Sequence, residues 1–155
     1  ELLRGEVIDD TGKMEALWFE NGYEIARTPG NEQICLWQKD VREIQLAKAA
    51  VRAGIETLLK RYGVTASQVS RVCLAGGFGY RLDCEKAIQI GMFPEEFSGI
   101  IQAVGNTSLS GAVMLAEDPE SMRKAKEILR HAAELSLSED PFFQQKYIEH
   151  MLLSE

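Results

Sequence analysis

Val72-Cys73-Leu74-Ala75-Gly76-Gly77-Phe78-Gly79 is a short apolar run that stops in glycines. An apolar run without alternation marks a buried strand, and glycines at its carboxyl end mark a backbone that must turn sharply. Ligands of open α/β sheets bind at that end of a strand, where amides free of Cβ atoms approach a phosphate or ribose closely. A tight corner that binds nothing fits the segment equally well. Spacing excludes two phosphate loops. Gly77-Phe78-Gly79-Tyr80-Arg81-Leu82 lacks the final glycine of a dinucleotide fingerprint, and no Gly-Lys-Ser/Thr follows.

Downstream, Asp83 is placed to cap a short helix through Ile90 that Gly91 closes, and residues 100–104 form a second apolar run. Strand, turn, helix and strand make a βαβ unit. Gly105-Asn106-Thr107-Ser108 ends that strand and opens a helix to about Glu117, whose Ser110, Gly111, Ala112 and Ala116 predict close helix-sheet packing. Asp118-Pro119 and Asp140-Pro141 each start a further helix, with a final strand expected over residues 135–137.

Upstream, Val41, Ile44, Ala47, Val51, Ile55, Leu58, Leu59 and Tyr62 recur at helical spacing and predict the longest helix. Asp40 is its expected N-cap and Gly63 its left-handed terminator, while Arg42, Gln45, Lys48, Arg52 and Glu56 lie on the opposite face. Before it, β-type runs over residues 5–8, 17–19, 23–26 and 33–36 predict a meander, with Asn21-Gly22 as the best hairpin turn. The expected fold class is therefore α/β with a β-meander at the N-terminus. It is read as one domain, with the meander over residues 1–38 and the α/β core over 39–155. Glu1-Leu2-Leu3-Arg4-Gly5 reads like the end of a helix, as expected of a fragment of a longer chain.

The 155 residues carry 24 acids against 17 bases, a net charge of -7 that opposes attraction to nucleic acid or anionic lipid. No run approaches the roughly 20 apolar residues of a membrane helix. Nucleic acid and membrane are therefore not expected partners. Cys35, Cys73 and Cys84 lack the paired spacing of zinc or iron-sulfur ligands, which favours a reducing, cytoplasmic compartment and no metal. His131 and His150 have no nucleophile at triad spacing and are expected on helix surfaces; Phe142-Phe143 is expected in the core.

A third phosphate-facing turn survives the spacing test, the adenosine-side glycine pair of the actin, sugar kinase and heat-shock chaperone (ASKHA) superfamily. The run Gln38-Lys39-Asp40-Val41-Arg42-Glu43-Ile44-Gln45-Leu46-Ala47-Lys48-Ala49-Ala50-Val51-Arg52-Ala53-Gly54-Ile55, followed by Leu74-Ala75-Gly76-Gly77-Phe78-Gly79, closely resembles the C-terminal domain of the reductive activators of corrinoid proteins. The resemblance continues through Leu82-Asp83, Ala87-Ile88-Gln89-Ile90-Gly91, Val104-Gly105-Asn106, Ser110-Gly111-Ala112 and Asp140-Pro141-Phe142-Phe143.

The resemblance implies one lobe of an actin-like (ribonuclease H-like) ATPase, in a protein that also carries a ferredoxin domain. Such proteins spend ATP to reduce an inactive cobalt(II) corrinoid on a partner to the methyl-accepting cobalt(I) form. It implies ATP or ADP with Mg as ligand, and a [2Fe-2S] cluster held upstream of Glu1. It also implies a corrinoid protein of a methyltransferase system as partner, with a homodimer as an open option. Gly76, Gly77, Phe78 and Gly79 would contact ribose and phosphates, with Lys39, Arg42, Gln45 and Lys48 beside the base. A solvated helix face explains those four as well, but the density of matched identities favours contact.

Asn106 either presents an amide to phosphate or metal-bound water, or simply caps a helix; Asp83 reads as a cap and not as a Mg ligand. Catalytic residues are expected outside the chain. Three positions depart from the family's pattern: Trp37, Tyr80-Arg81 and Cys84. Trp37 is expected to pack against the meander. A noncatalytic dimerisation or docking module is the alternative function. The related activators of acyl-CoA dehydratases fit less well, because Cys73 and Cys84 do not match their cluster ligands.

Overall fold

A computed structural model describes residues 7–153; of Phe78 and Tyr80 it describes the backbone. The elements run α1 (Ala16–Phe19), β1 (Tyr23–Arg27), β2 (Gln33–Leu36), α2 (Gln38–Tyr62), β3 (Val72–Ala75), α3 (Gly76–Arg81), α4 (Cys84–Gln89), β4 (Ile101–Gly105), α5 (Thr107–Glu117), α6 (Pro119–His131) and α7 (Pro141–Glu149). This is a mixed α/β architecture.

The N-terminal region differs from the predicted meander. Residues 17–19 fall in α1, because Trp18 and Phe19 donate their amides to Glu15 O and the chain closes a helical turn. β1 and β2 pair antiparallel, and the hairpin turns at Pro29-Gly30-Asn31, where Asn31 takes φ +65°. Asn21-Gly22 instead joins α1 to β1, with Gly22 at φ +70° against the Trp37 ring. Trp37 thus packs on this region, as expected. Of the predicted run 5–8, Ile8 bridges Met14; Gly5 and Glu6, like the expected helix end at residues 1–5, lie outside the described residues.

Helix α2 starts at Gln38, two residues before the predicted cap. Asp40 acts from inside the first turn, accepting the Trp37 amide at 2.9 Å. Gly63, at φ +78°, closes it by donating to Leu59 O and Lys60 O. The helix is turned differently from its apolar period. Ile44, Val51, Leu58 and Tyr62 are exposed, whereas Val41, Gln45, Lys48, Ala49, Ala53, Gly54 and Thr57 are buried.

Two apolar clusters lie along α2. Val41 joins Val7, Ile8 and Met14, with Trp18, Tyr23, Leu36 and Leu153 against them. Ile55 and Leu59 pack on the second cluster of Ala87, Met92, Phe93 and Phe97, which also receives Val72 and Leu74 from β3 and Ile101 from β4. Fully burying one such large apolar side chain contributes about 1.5–3 kcal/mol.

β3 and β4 are parallel neighbours, as the βαβ unit predicts, but the expected turn after β3 is itself a short helix, α3. Asp83 accepts the Lys86 amide at 3.1 Å to cap α4, Asp118 accepts those of Glu120 and Ser121 to cap α6, and Asp140 caps α7. Two downstream expectations fail. Residues 135–137 form no strand; a short 3₁₀ turn, Leu137–Glu139, leads into α7. The small residues of α5 do not meet a sheet: space opens around Gly111, and Leu109, Val113 and Met114 are exposed.

His131 is exposed at the end of α6, but His150 is buried, its Nε2 lying 3.0 Å from Glu56 Oε1. Phe142 and Phe143 are half-buried: Lys60 Nζ sits 3.6 Å over the Phe142 ring, and Phe143 stacks on Tyr147. The three cysteines are free thiols.

Candidate functional site at the paired strand ends

β3 directs Val72 and Leu74 into the second cluster and leaves Cys73 and Ala75 exposed. In its register with β4, Val72 faces Ile101, Cys73 faces Gln102 and Leu74 faces Ala103. Ala75 then faces Gly105, so Val104 is an extra residue in β4. Such bulges redirect a strand where its pairing ends.

Both strands finish on a left-handed glycine. Gly76 has φ +87° and opens α3; Gly105 has φ +72° and leads through Asn106 into α5. Positive φ is nearly free for glycine and costs other residues about 1–2 kcal/mol. The two carboxyl ends therefore sit side by side, each turning at once into a helix.

The Gly76 to Gly79 segment divides in two. A Cβ built on Gly76, Gly77 or Gly105 would meet nothing within 4 Å, so their backbones border open space. Gly79 is buried, and a Cβ there would lie 2.8 Å from Leu74 Cβ and 3.2 Å from Leu74 O. Gly79 lets α3 lie against β3. The first two glycines and Gly105 form a backbone ledge open to a ligand, which fits an anionic group needing bare amides.

Asn106 caps α5. Its Oδ1 accepts the Leu109 amide at 3.0 Å, and its carbonyl accepts both the amide and the hydroxyl of Ser110 at 3.1 Å. At the start of α4, the Lys86 amide and its ammonium hold the exposed Asp83 carboxyl below its ordinary value. Arg81, at the end of α3, is exposed.

The four α2 residues separate into two pairs. Lys39 and Arg42 are exposed, with Arg42 Nη1 3.5 Å from Gln45 Oε1. Gln45 is 1% exposed and Lys48 3%. Gln45 Nε2 donates to Thr11 O at 2.9 Å and to Met151 O at 2.7 Å; Lys48 Nζ donates to Leu152 O. About two turns earlier, Gln38 works the same way, accepting the Met14 amide at 2.7 Å and donating to Gly12 O at 2.8 Å. Sequence reasoning did not single out Gln38 for this role. The only signal was its 3-4 spacing with Val41, Gln45 and Lys48, which puts all of them on one face.

Comparison with known proteins agrees with this architecture. Residues 2–155 match the family described as the C-terminal domain of RACo, the ASKHA domain. The corrinoid activation enzyme RamQ of Eubacterium limosum is 31% identical over 127 residues, covering 82% of this chain and 21% of that protein. A solved structure titled reductive activator for corrinoid,iron-sulfur protein superposes with a TM-score of 0.83 at 28% identity, over 98% of this chain and 26% of that one. The chain thus spans between a fifth and about a quarter of the length of these relatives. It belongs to the family of C-terminal ASKHA domains of corrinoid reductive activators.

Proposed function

We propose that this chain is the nucleotide-binding lobe of an ATP-dependent reductive activator, which returns a cobalt(II) corrinoid protein to cobalt(I). The observation that carries the nucleotide reading is the pair of adjacent strand ends at Gly76 and Gly105, both left-handed and both bordered by open space.

In this reading the bare amides of Gly76 and Gly77, with the Phe78 backbone behind them, receive ribose and phosphate. Gly79 acts indirectly by keeping α3 on β3. Asn106 holds the start of α5 beside the phosphates, where a helix N-terminus favours negative charge. Lys39 and Arg42 supply exposed cations on α2 for the base side. Mg-ATP, when bound, supplies the phosphoanhydride bond whose hydrolysis offsets an unfavourable one-electron reduction. The residues of this chain orient the nucleotide; the water-positioning carboxylate lies outside it.

The electron route, with its [2Fe-2S] cluster, belongs to the ferredoxin portion of such activators. The partner is a corrinoid protein of a methyltransferase system, in the cytoplasm. The names of the relatives, which specify corrinoid activation, support this reading.

Titration calorimetry of the intact protein with ADP and Mg, wild type against Gly77→Asp, tests the proposal. A carboxylate on the ledge repels phosphate, so the variant should bind at least about tenfold more weakly, or about 1.4 kcal/mol. No binding heat in either protein would instead favour a noncatalytic docking module. Hydrolysis by residues 1–155 alone should be negligible; full-rate turnover would refute a half-site.

A further inference from the structure

Gln45 and Lys48 lie on the polar face of α2 that the family resemblance assigns to nucleotide, yet both are buried against backbone carbonyls of this same chain. We propose that α2 is a clasp: Gln38, Gln45 and Lys48 pin the loop around Thr11 and the segment from His150 to Leu153 onto one helix. In consequence Gln45 and Lys48 position chain segments and do not contact the nucleotide.

Three lines of geometry converge on this role. First, the donors are matched to acceptors from both chain regions. Gln45 Nε2 bridges Thr11 O and Met151 O, Gln38 ties down Gly12 and Met14, and Lys48 takes Leu152 O. A buried ammonium or amide without such partners would cost several kcal/mol, so these groups are retained because the carbonyls are there.

Second, the two held segments also join each other, since the Leu153 amide donates to Asp10 O at 3.2 Å and Leu153 packs on the cluster that contains Val7, Ile8 and Met14. Gly12, at φ +78°, is fitted to the clasp. A Cβ there would come within 2.6 Å of the Gln45 amide.

Third, the segment is fastened again about two turns further along α2, at Glu56. His150 Nε2 lies 3.0 Å from Glu56 Oε1, which also accepts Arg52 Nε at 2.7 Å, with Lys146 Nζ 3.8 Å from Oε2. On its other side Lys48 Nζ lies 3.2 Å from where a Gly91 Cβ would stand, a close approach to the turn that ends α4. Lys48 is thus enclosed between the end of α4 and the strap.

Amide hydrogen exchange on the intact protein, read beside ADP titration, decides the matter. Gln45→Ala and Lys48→Met should each accelerate exchange in the peptide containing Leu153 by about tenfold or more, as expected for local opening. They should leave peptides covering β3 and α3 unchanged and the Kd for ADP within about twofold of wild type. Leu153→Ser, which loosens the 150–153 segment while leaving every residue of α2 unchanged, should reproduce the exchange pattern and guards against misfolding of the α2 variants.

Unchanged exchange at Leu153 in all three variants would overturn the clasp. A Kd raised tenfold or more by Gln45→Ala or Lys48→Met, but not by Leu153→Ser, would overturn it in favour of direct contact. Absence of ADP binding in wild type refutes the nucleotide reading alone, because the exchange arm still tests the clasp.

Discussion

A Cβ added to Gly79 would stand 2.8 Å from the Cβ of Leu74, closer than packed carbon atoms approach. Gly79→Ala must therefore push α3 off β3, at an expected cost of about 1–3 kcal/mol. Gly77→Ala meets nothing within 4 Å and removes backbone freedom inside α3, so it should be neutral or stabilising by up to about 1 kcal/mol. Thermal unfolding of the two variants side by side checks the division of the glycine segment. Equal losses would show that it acts as one rigid unit.

Asp140 caps α7 through the Phe142 and Phe143 amides, and Arg61 Nη2 lies 2.7 Å from its Oδ2. The guanidinium hydrogen bond, followed by those amides, holds the carboxyl below its ordinary value of 3.8. A folded value below the unfolded one stabilises the protein fully above about pH 4 and is lost as pH falls through the lower folded value. Asp140→Asn keeps the cap and removes the charge. Its Tm should lie below wild type at pH 7 and converge with it toward pH 3; a gap independent of pH would exclude the ion pair as the cause.

Glu56 gathers Arg52, His150 and Lys146 between α2 and α7. Glu56→Gln should cost about 1–2 kcal/mol, since the amide keeps one acceptor oxygen but loses the negative charge that attracts Arg52 and Lys146. Denaturant unfolding reads this directly. The loss should shrink in Glu56→Gln/His150→Gln, whose coupling measures the His150 contact.

Asn106→Asp preserves an N-cap acceptor, and a carboxylate suits a helix N-terminus, so stability should hold within about 0.5 kcal/mol. Under the proposed function the added charge faces phosphate, and the Kd for ADP should rise about tenfold. Asn106→Ala should show the reverse pattern, losing about 1 kcal/mol of stability with a smaller change in affinity. Identical affinities in all three proteins would remove Asn106 from the site.

The elements legible in the sequence are those fixed by local chemistry. Asp83, Asp118 and Asp140 announce helix starts because their carboxylates satisfy amides two or three residues on, and Gly63 and Gly91 announce ends because the left-handed turn needs them. The parallel pair of β3 and β4 followed from apolar runs flanking a short helix.

What failed depended on distant partners. Residues 17–19 have strand-like composition, but they pair with no strand and close a helical turn instead. Gly76 and Gly79 look alike in sequence, yet Gly76 takes a left-handed turn at a strand end whereas Gly79 lies against Leu74. The polar face of α2 reads as wet or ligand-facing, since no local rule says that Thr11, Met151 and Leu152 will return to cover it.

At about 1.5 Å per residue, the 25 residues of α2 form a rod of about 37 Å. One apolar cluster grips its start through Val41, and the other grips its last turns through Ile55 and Leu59. The N-terminal hairpin, through Tyr23 and Leu36, and β3, through Val72 and Leu74, are thereby fastened to opposite ends of a single helix.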